Sequence, residues 1–162
     1  MKSWSPYVLL AIVAFALDQW IKHLVETSLA FQEKIDLVPF LALFRTFNTG
    51  IAFSMFSSLS DTGLVVIATL VVAVVLYLAT LTPRSHVFAR IGFALIVGGA
   101  LGNLVDRVTY GHVIDYILFH TQTWSFAVFN LADACISVGA VLIVFDELIG
   151  WRREAKPQGP DA

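Results

Sequence analysis

One stretch of the sequence restricts the possible folds more than any other: the 18 residues from Leu64 to Leu81 contain no charged side chain. Val, Leu, Ala and Ile dominate it. An α-helix rises about 1.5 Å per residue, so a helix of this length would be about 27 Å long. The hydrocarbon core of a bilayer is about 30 Å thick. We therefore predict that this stretch spans a membrane.

The composition extends this conclusion to the whole chain, which is 58% hydrophobic and 14% charged. Soluble domains are about 45–50% apolar and about 25% charged. Disorder requires low hydrophobicity and high net charge, and nucleic-acid binding requires a basic surface, whereas the formal net charge here is −2. The single cysteine excludes an intrachain disulfide framework. An integral membrane protein is the class that remains.

Three further spans are predicted, at about 6–25, 87–105 and 124–150, in addition to 64–81. The first also resembles a cleavable secretory signal, because Lys2 precedes a short apolar run that ends in small residues. The helical pattern continues to Val25, which favours a retained helix. We predict an all-α membrane fold, in which one domain over residues 1–162 forms a four-helix bundle with a small extracytoplasmic β-sheet or hairpin between helices one and two.

The basic residues predict the orientation of the bundle. Six of the ten lie at the termini or between helices two and three, on segments that must share one side: Lys2, Arg84, Arg90, Arg152, Arg153 and Lys156. Cytoplasmic loops carry an excess of Lys and Arg. We therefore expect both termini in the cytoplasm and the two insertions, about 26–61 and 106–123, on the outer side.

The first insertion has the pattern of short strands. Lys34 to Val38 alternates polar and apolar residues, and the runs 41–47 and 51–56 flank the turn signal Asn48-Thr49-Gly50. The insertion is rich in Phe. Contact with lipid headgroups or a lipidated partner and ordinary packing of a small sheet explain these aromatic residues equally well.

Polar residues gather near the predicted outer ends of the helices. A carboxylate at the centre of a bilayer costs about 2.5–3.5 kcal/mol on insertion scales, so each of these residues needs a reason to be there. Asp133 has the strongest case for a functional role, because no basic residue lies within one helical turn of it. The set comprises Asp18, Asn103, Asp106, Arg107, Asp115, Asn130 and Asp133.

Structural explanations exist for some of them. Asp106 beside Arg107 is most simply an ion pair at a helix end, and Asp18 with Lys22 is explained almost as well by a solvated helix end. Gly98 and Gly102 form a pattern that lets a neighbouring helix approach closely. Cys135 is expected to serve packing alone.

Two neighbouring carboxylates support a definite chemistry. They cannot both ionise readily, so the pair holds one proton; one member can then activate water while the other assists the carbonyl and the leaving group. If Asp115 reaches Asp133, the residues indicate an intramembrane aspartyl hydrolase. A proton-relay or carrier subunit and a non-enzymatic assembly factor are the alternatives, although a relay would place acids through the full membrane depth.

Five motifs in order carry a resemblance to a known family: Asp18-Gln19-x-x-Lys22, Asn48-Thr49-Gly50-Ile51-Ala52-Phe53-Ser54, Gly98-Gly99-Ala100-Leu101-Gly102-Asn103-Leu104-Val105-Asp106-Arg107, Gly111-His112-Val113-Ile114-Asp115-Tyr116 and Phe129-Asn130-Leu131-Ala132-Asp133. Together they resemble the bacterial lipoprotein signal peptidases (signal peptidase II), over nearly the whole chain. Ile51 departs from the pattern, since the family usually has a small residue there.

The resemblance implies an aspartic endopeptidase of the bacterial cytoplasmic (inner) membrane. It would remove the signal peptide from a diacylglyceryl-modified prolipoprotein, on the N-terminal side of the lipidated cysteine and near the outer leaflet. Asp115 and Asp133 match the catalytic dyad, and the role of Lys22 stays open. The resemblance also implies inhibition by globomycin and no metal or cofactor. The net charge of −2 argues against a nucleic-acid partner, and we expect a monomer. The residues that would support the dyad and hold substrate are Asp18, Asn48, Asn103, Arg107 and Asn130.

Overall fold

The structure, a computed structural model, describes residues 4–50 and 61–154. Within them, four helices and three strands follow one another along the chain. They are α1 (Ser5–Ser28), β1 (Lys34–Val38), β2 (Leu41–Asn48), α2 (Asp61–Leu81), α3 (Val87–Tyr110), β3 (Val113–Phe119) and α4 (Leu131–Glu154).

Three of the helices, α1, α2 and α3, are long and apolar enough to cross a membrane. The prediction of a helical membrane protein with a small sheet is therefore confirmed at this level. Helix α4 carries acidic residues towards both of its ends, and a fourth crossing remains a prediction. Among the described residues, large apolar side chains such as Leu9, Leu70 and Val141 point outwards, as expected of a surface in contact with lipid.

Two helix bounds differ from the predicted spans. Helix α3 continues to Tyr110 and ends at Gly111, whose φ of 75° is the left-handed conformation that stops helices. Helix α4 begins at Leu131 rather than at 124. The reason is that Phe129 pairs with Ile117 of β3, so the residues before Asn130 are extended.

Helix α3 lies at the centre of the bundle because its glycines allow close contact on two sides. A methyl group added at Gly98 would come within 2.6 Å of the carbonyl oxygen of Ala11 in α1. One added at Gly99 would come within 2.5 Å of the carbonyl oxygen of Ala132 in α4. Adjacent glycines therefore serve different neighbours, and the predicted role of the Gly98 and Gly102 pair is confirmed for α1.

The three strands form one antiparallel sheet in the order β1-β2-β3. The strands predicted at 34–38 and 41–47 are confirmed, whereas 51–56 lies outside the described residues. The third strand comes from the second insertion, so a sheet built from the first insertion alone was an incomplete prediction. Thr46 lies opposite Asp115 and Asn48 opposite Val113, and this register brings the end of β2 to the acidic residue of β3.

Polar side chains occupy much of the buried interior. Among the largest fully buried side chains are Asp18, Asp106, Asp115 and Asn130. Burying an unpaired charge is costly, so such groups must be paired or hydrogen-bonded. The interior of this bundle therefore holds a hydrogen-bonded network.

Candidate active site

The two carboxylates proposed as a dyad lie on different elements that meet at the start of α4. Asp115 is in β3 and is 2% exposed, whereas Asp133 is half-buried in the first turn of α4. Asn130 joins them: its Nδ2 donates to Asp115 Oδ1 at 2.6 Å, and its backbone N–H donates to Asp133 Oδ2 at 3.3 Å. The structure thus brings together the residues that the sequence separates by 18 positions.

The start of α4 holds Asp133 in place through a reciprocal cap. Asn130 Oδ1 accepts the backbone N–H of Asp133 at 2.9 Å, while the Asp133 carboxylate accepts the N–H of Asn130. This is the arrangement of a capping box, with Asn and Asp as the two side chains. The Tyr116 hydroxyl accepts the N–H of Leu131 at 3.2 Å, and Asp18 accepts that of Ala132 at 2.9 Å. With its first N–H groups satisfied, this helix end is a rigid support for Asp133.

Two more amides orient the pair from the other side. Asn48 Nδ2, at the end of β2, donates to Asp115 Oδ2 at 3.0 Å. Asn103 Nδ2, in α3, donates to Asp133 Oδ1 at 2.8 Å. Each carboxylate therefore accepts two hydrogen bonds from neutral N–H groups.

Arg107 supplies the nearby positive charge. It donates to two backbone carbonyls, that of Asn103 at 3.2 Å and that of Gly50 at 2.7 Å. Asp133 and Asp115 attract its guanidinium electrostatically, but within residues 4–50 and 61–154 neither carboxylate comes within ion-pair distance of it. The guanidinium has five N–H donors, so further donors remain for a ligand.

Asp115 lies outside the membrane-spanning helices, and its surroundings favour the neutral acid. Burial, reinforced by the charge of Asp133, raises the pKa of Asp115 to about 7, against the opposing hydrogen bonds of Asn48 and Asn130. A neighbouring carboxylate and a low dielectric act in the same direction. The pair is therefore suited to hold one proton near neutral pH.

A cavity of about 530 Å³ opens beside the pair. Asp133, Asn48, Asn103 and Arg107 line its polar part, whereas Asp115 lies behind them. Its remaining walls are largely apolar and come from α2, from the segment 126–129 before α4, and from α4 itself: Leu64, Ile67, Val71, Phe126, Phe129 and Ile136. The cavity thus offers one carboxylate to an apolar ligand.

A second group of charges, which we call the Lys22 cluster, lies behind the amides and consists of Asp18, Lys22 and Asp106. Lys22 Nζ is 2.8 Å from Asp18 Oδ2 and 2.7 Å from Asp106 Oδ2. All three residues are at most 2% exposed. Gln19 Nε2 donates to Asp106 Oδ1 at 2.9 Å. The pairing with Lys22 explains how two carboxylates are tolerated inside the bundle.

Two interpretations of the sequence are corrected by this cluster. Asp106 pairs with Lys22 rather than with Arg107, because the two residues adjacent in sequence point to different sides of α3. Asp18 and Lys22 are buried rather than at a solvated helix end. Lys22 had no assigned role and Gln19 was not selected at all, although both belong to a motif quoted above.

Asn103 connects the Lys22 cluster to the pair. Its Oδ1 accepts Lys22 Nζ at 2.9 Å and Asn130 Nδ2 at 3.2 Å, while its Nδ2 faces Asp133. The two donors on Oδ1 determine which way the amide is turned. In the described parts of the chain, no group of three His, Cys, Asp or Glu side chains could hold a metal ion.

Comparisons with known proteins identify the family to which the chain is related. The family model described as signal peptidase (SPase) II matches residues 10–149. A lipoprotein signal peptidase of Mesorhizobium japonicum is 80% identical over 160 residues, covering 97% of this chain and 95% of that protein. One of Brucella ovis is 58% identical over 151 residues, covering 93% of this chain and 94% of that protein.

Solved structures show the same fold. A structure described as a bacterial membrane enzyme, solved by the in meso method at 2.3 Å resolution, superposes with a TM-score of 0.85 at 26% identity, covering 95% of this chain and 93% of the other. A second, solved at 1.9 Å, has a TM-score of 0.79 at 27% identity and covers 89% and 93%. The chain therefore belongs to the signal peptidase II family, the lipoprotein signal peptidases, which are membrane proteases that remove signal peptides from prolipoproteins.

Proposed function

We propose that this chain is an aspartic endopeptidase that cleaves diacylglyceryl-modified prolipoproteins on the N-terminal side of the lipidated cysteine, with Asp115 and Asp133 as the catalytic dyad. One observation carries the proposal: the two carboxylates share Asn130 as a hydrogen-bond donor, beside an apolar cavity. Two acids whose surroundings let them share one proton are the requirement for this chemistry.

The positions of Asp115 and Asp133 suggest that the two acids have different roles in catalysis. Asp133 lines the cavity and can take a proton from water there, whereas the buried Asp115 is the better holder of the shared proton. Water oxygen bonds to the scissile carbonyl carbon as its proton passes to Asp133, and the shared proton passes to the carbonyl oxygen. Collapse breaks the C–N bond: the amine nitrogen takes the proton held by Asp133, and one hydroxyl of the tetrahedral intermediate returns its proton to Asp115 as the carboxyl group forms. The products are the carboxyl end of the signal peptide and the free amine of the lipidated cysteine, and the dyad regains its single proton.

The surrounding polar residues would act through orientation and charge. Asn48, Asn103 and Asn130 hold the carboxylates by hydrogen bonds, and Asp18 secures the start of α4. Arg107 lines the cavity and has donors available for a substrate carbonyl. We propose that these five residues support the dyad and hold substrate without a metal or cofactor. Inhibitors of the globomycin type would compete for the same cavity, and the enzyme would act as a monomer.

The direct test uses Asp115→Asn and Asp133→Asn, purified in detergent and assayed on a diacylglyceryl-modified prolipoprotein. We expect each variant to lose cleavage, because Asn cannot exchange the proton. Asp36→Asn is a suitable control, because it makes the same change on the exposed strand β1, away from the cavity. Asn130→Asp is not suitable, since it adds a charge to the site. Turnover near that of the unchanged protein by either dyad variant would refute the assignment.

The substrate class has its own test. A prolipoprotein without the diacylglyceryl group should be cleaved far more slowly than its lipidated counterpart, because the lipid would place the cysteine at the membrane surface. Equal rates on the two would refute this part of the proposal.

We also propose a single membrane domain with four crossings, both termini in the cytoplasm and the dyad near the outer leaflet. The excess of Lys and Arg at the termini and between α2 and α3 supports this orientation. A reporter fused after Ala162 should be active only in its cytoplasmic form, and activity of a periplasmic reporter at that position would contradict the orientation.

A further inference from the structure

The segment from Phe126 to Phe129 lies beside β3 and makes backbone hydrogen bonds to it at both of its ends. Phe129 and Ile117 exchange two backbone hydrogen bonds, of 3.0 and 2.8 Å, and the N–H of Phe126 donates to the carbonyl of Phe119 at 2.8 Å. One edge of this segment is therefore occupied by the sheet.

The other edge is unpaired at Ala127 and Val128. In an extended chain the N–H and C=O of successive residues point to opposite sides. Phe126 and Phe129, three residues apart, both point their N–H groups to β3, so this alternation is interrupted between them, as at a β-bulge, and Ala127 and Val128 are the residues left without a partner on β3. Within residues 4–50 and 61–154, neither Ala127 nor Val128 makes a backbone hydrogen bond. Both residues line the cavity that contains Asp133.

A half-buried backbone edge with no partner is unusual. Native proteins pair nearly all of their buried N–H and C=O groups, with protein, water or ligand. Both residues are only partly exposed, and the walls around them are largely apolar. An extended peptide that enters this cavity could satisfy the edge by adding a strand to it, a recognised mode of peptide binding.

We propose that the prolipoprotein binds in an extended conformation on the Ala127–Val128 edge, whose unpaired main-chain groups would form hydrogen bonds with a substrate residue close to the scissile bond. This inference rests on the proposed function. Val128 lies two residues before Asn130 and five before Asp133, and Phe129, which is hydrogen-bonded to β3, lies between this edge and the capped start of α4. The edge would thus align the substrate main chain with the dyad, while apolar substrate side chains meet Ile67, Val71 and the other apolar walls.

The test replaces single amides of a synthetic diacylglyceryl lipopeptide by esters, one at a time, from four residues before the cleavage site to three after it. The scissile bond is left unchanged. Each ester removes one N–H donor and leaves the side chains intact. A net hydrogen bond contributes about 0.5–1.5 kcal/mol, so the loss of one lowers kcat/KM by about two- to tenfold. We expect this loss at one position, or at two positions separated by one residue, with the intervening ester neutral.

A matched pair of enzyme variants tests the same contact from the other side. Val128→Pro removes the N–H of this edge, whereas Val128→Ala shortens the side chain and keeps the N–H. We expect a higher KM in the proline variant than in the alanine variant, which reports the loss of side-chain contact alone, and equal KM values in the two variants would argue against a main-chain hydrogen bond at this position. The ester series uses the unchanged enzyme, so it decides the matter even where the proline variant does not fold.

The outcomes separate this inference from the function on which it rests. In one outcome the enzyme cleaves the parent lipopeptide, Asp133→Asn does not, and the ester series shows no effect or an equal effect at every position. This outcome refutes strand pairing and leaves the dyad assignment in place. A parent lipopeptide that the enzyme does not cleave refutes both.

Discussion

Two pairs of buried carboxylates lie side by side in this bundle, and they differ in what neutralises them. Asp18 and Asp106 share the ammonium group of Lys22 within 2.8 Å and are closed off from the cavity. Asp115 and Asp133 receive hydrogen bonds from neutral amides instead, and Asp133 lies on the cavity wall. The first pair has its charge compensated by Lys22, whereas the second is the pair that we propose to share a proton.

The difference shows that the partner, more than the residue type, decides what a buried acid can do. A carboxylate held by a buried cation has its charge compensated and can serve to fix structure. A carboxylate beside another carboxylate, with amides as donors, remains able to exchange a proton near neutral pH. Asn103 touches both groups, so the structural pair can orient the pair proposed for catalysis.

The largest expected effect comes from removing the cation of the structural pair. Lys22→Met would leave Asp18 and Asp106 buried without their partner, and breaking a buried ion pair in this way costs about 3–5 kcal/mol. We expect a marked fall in the free energy of unfolding, measured by thermal or denaturant unfolding in detergent.

Lys34→Met is the matched control, because Lys34 and Asp36 form an ion pair with side chains 40% and 60% exposed. Exposed pairs contribute little to stability, so this variant should unfold like the unchanged protein. Equal stability of the two variants would show that the Lys22 cluster is not structural.

The proton-sharing pair should show itself in the pH dependence of cleavage. Since burial and Asp133 raise the pKa of Asp115 to about 7, the neutral acid is present below that pH and is lost above it. When both carboxylates are charged the shared proton is gone, so kcat/KM should fall by about tenfold for each pH unit above 7. A pH–rate profile with a constant, lipidated substrate measures this.

Direct titration of Asp115 tests whether the two carboxylates interact. Asp133→Asn removes one of the two causes that raise the pKa of Asp115 and leaves burial, so the pKa should fall but remain above its ordinary value of 3.8. Titration of a ¹³C-labelled Asp115 carboxyl by NMR reports it. An unchanged pKa would mean that the two carboxylates do not interact.

A smaller effect is expected where helix α1 contacts α3. A methyl group at Gly102 would collide with the Asp18 carboxylate, and overpacking typically costs about 1–3 kcal/mol. Gly102→Ala should therefore lower the unfolding free energy, whereas the nearest atom to an added methyl at Gly150 is 3.9 Å away. Gly150→Ala is the control, and an equal loss in both variants would argue against a specific contact with Asp18.

Much of the site could be anticipated from residues that break the apolar pattern. Asp133 stands out because an acid in an apolar helix needs a reason, and its three-residue spacing from Asn130 places the two on one helix face. The two residues do meet, but through a capping box, because Asn130 precedes α4 instead of lying on a face of it. The partner of Asp115 could not be predicted in this way, since the spacing of residues in a short strand does not indicate which distant residue an acid will contact.

Asp106 shows where such reasoning fails. Adjacency to Arg107 suggested an ion pair, but its partners Lys22 and Gln19 lie more than 80 residues away. The third strand was missed for a similar reason, because β3 pairs with β2 across the whole length of α2 and α3. Contacts of this kind depend on how the helices are arranged.

The sequence by itself was sufficient to predict the membrane class, two of the strands, the close approach of a helix at Gly98 and the residues of the five motifs. Apolar length, strand alternation and helical spacing are properties of neighbouring residues, so they can be read without a fold. The tertiary structure alone decided which acid received a cation and which received amides, and which backbone edge faces the cavity. Those outcomes depend on burial and on distances between elements far apart in the chain, because the free energy of a buried charge is set by everything that surrounds it.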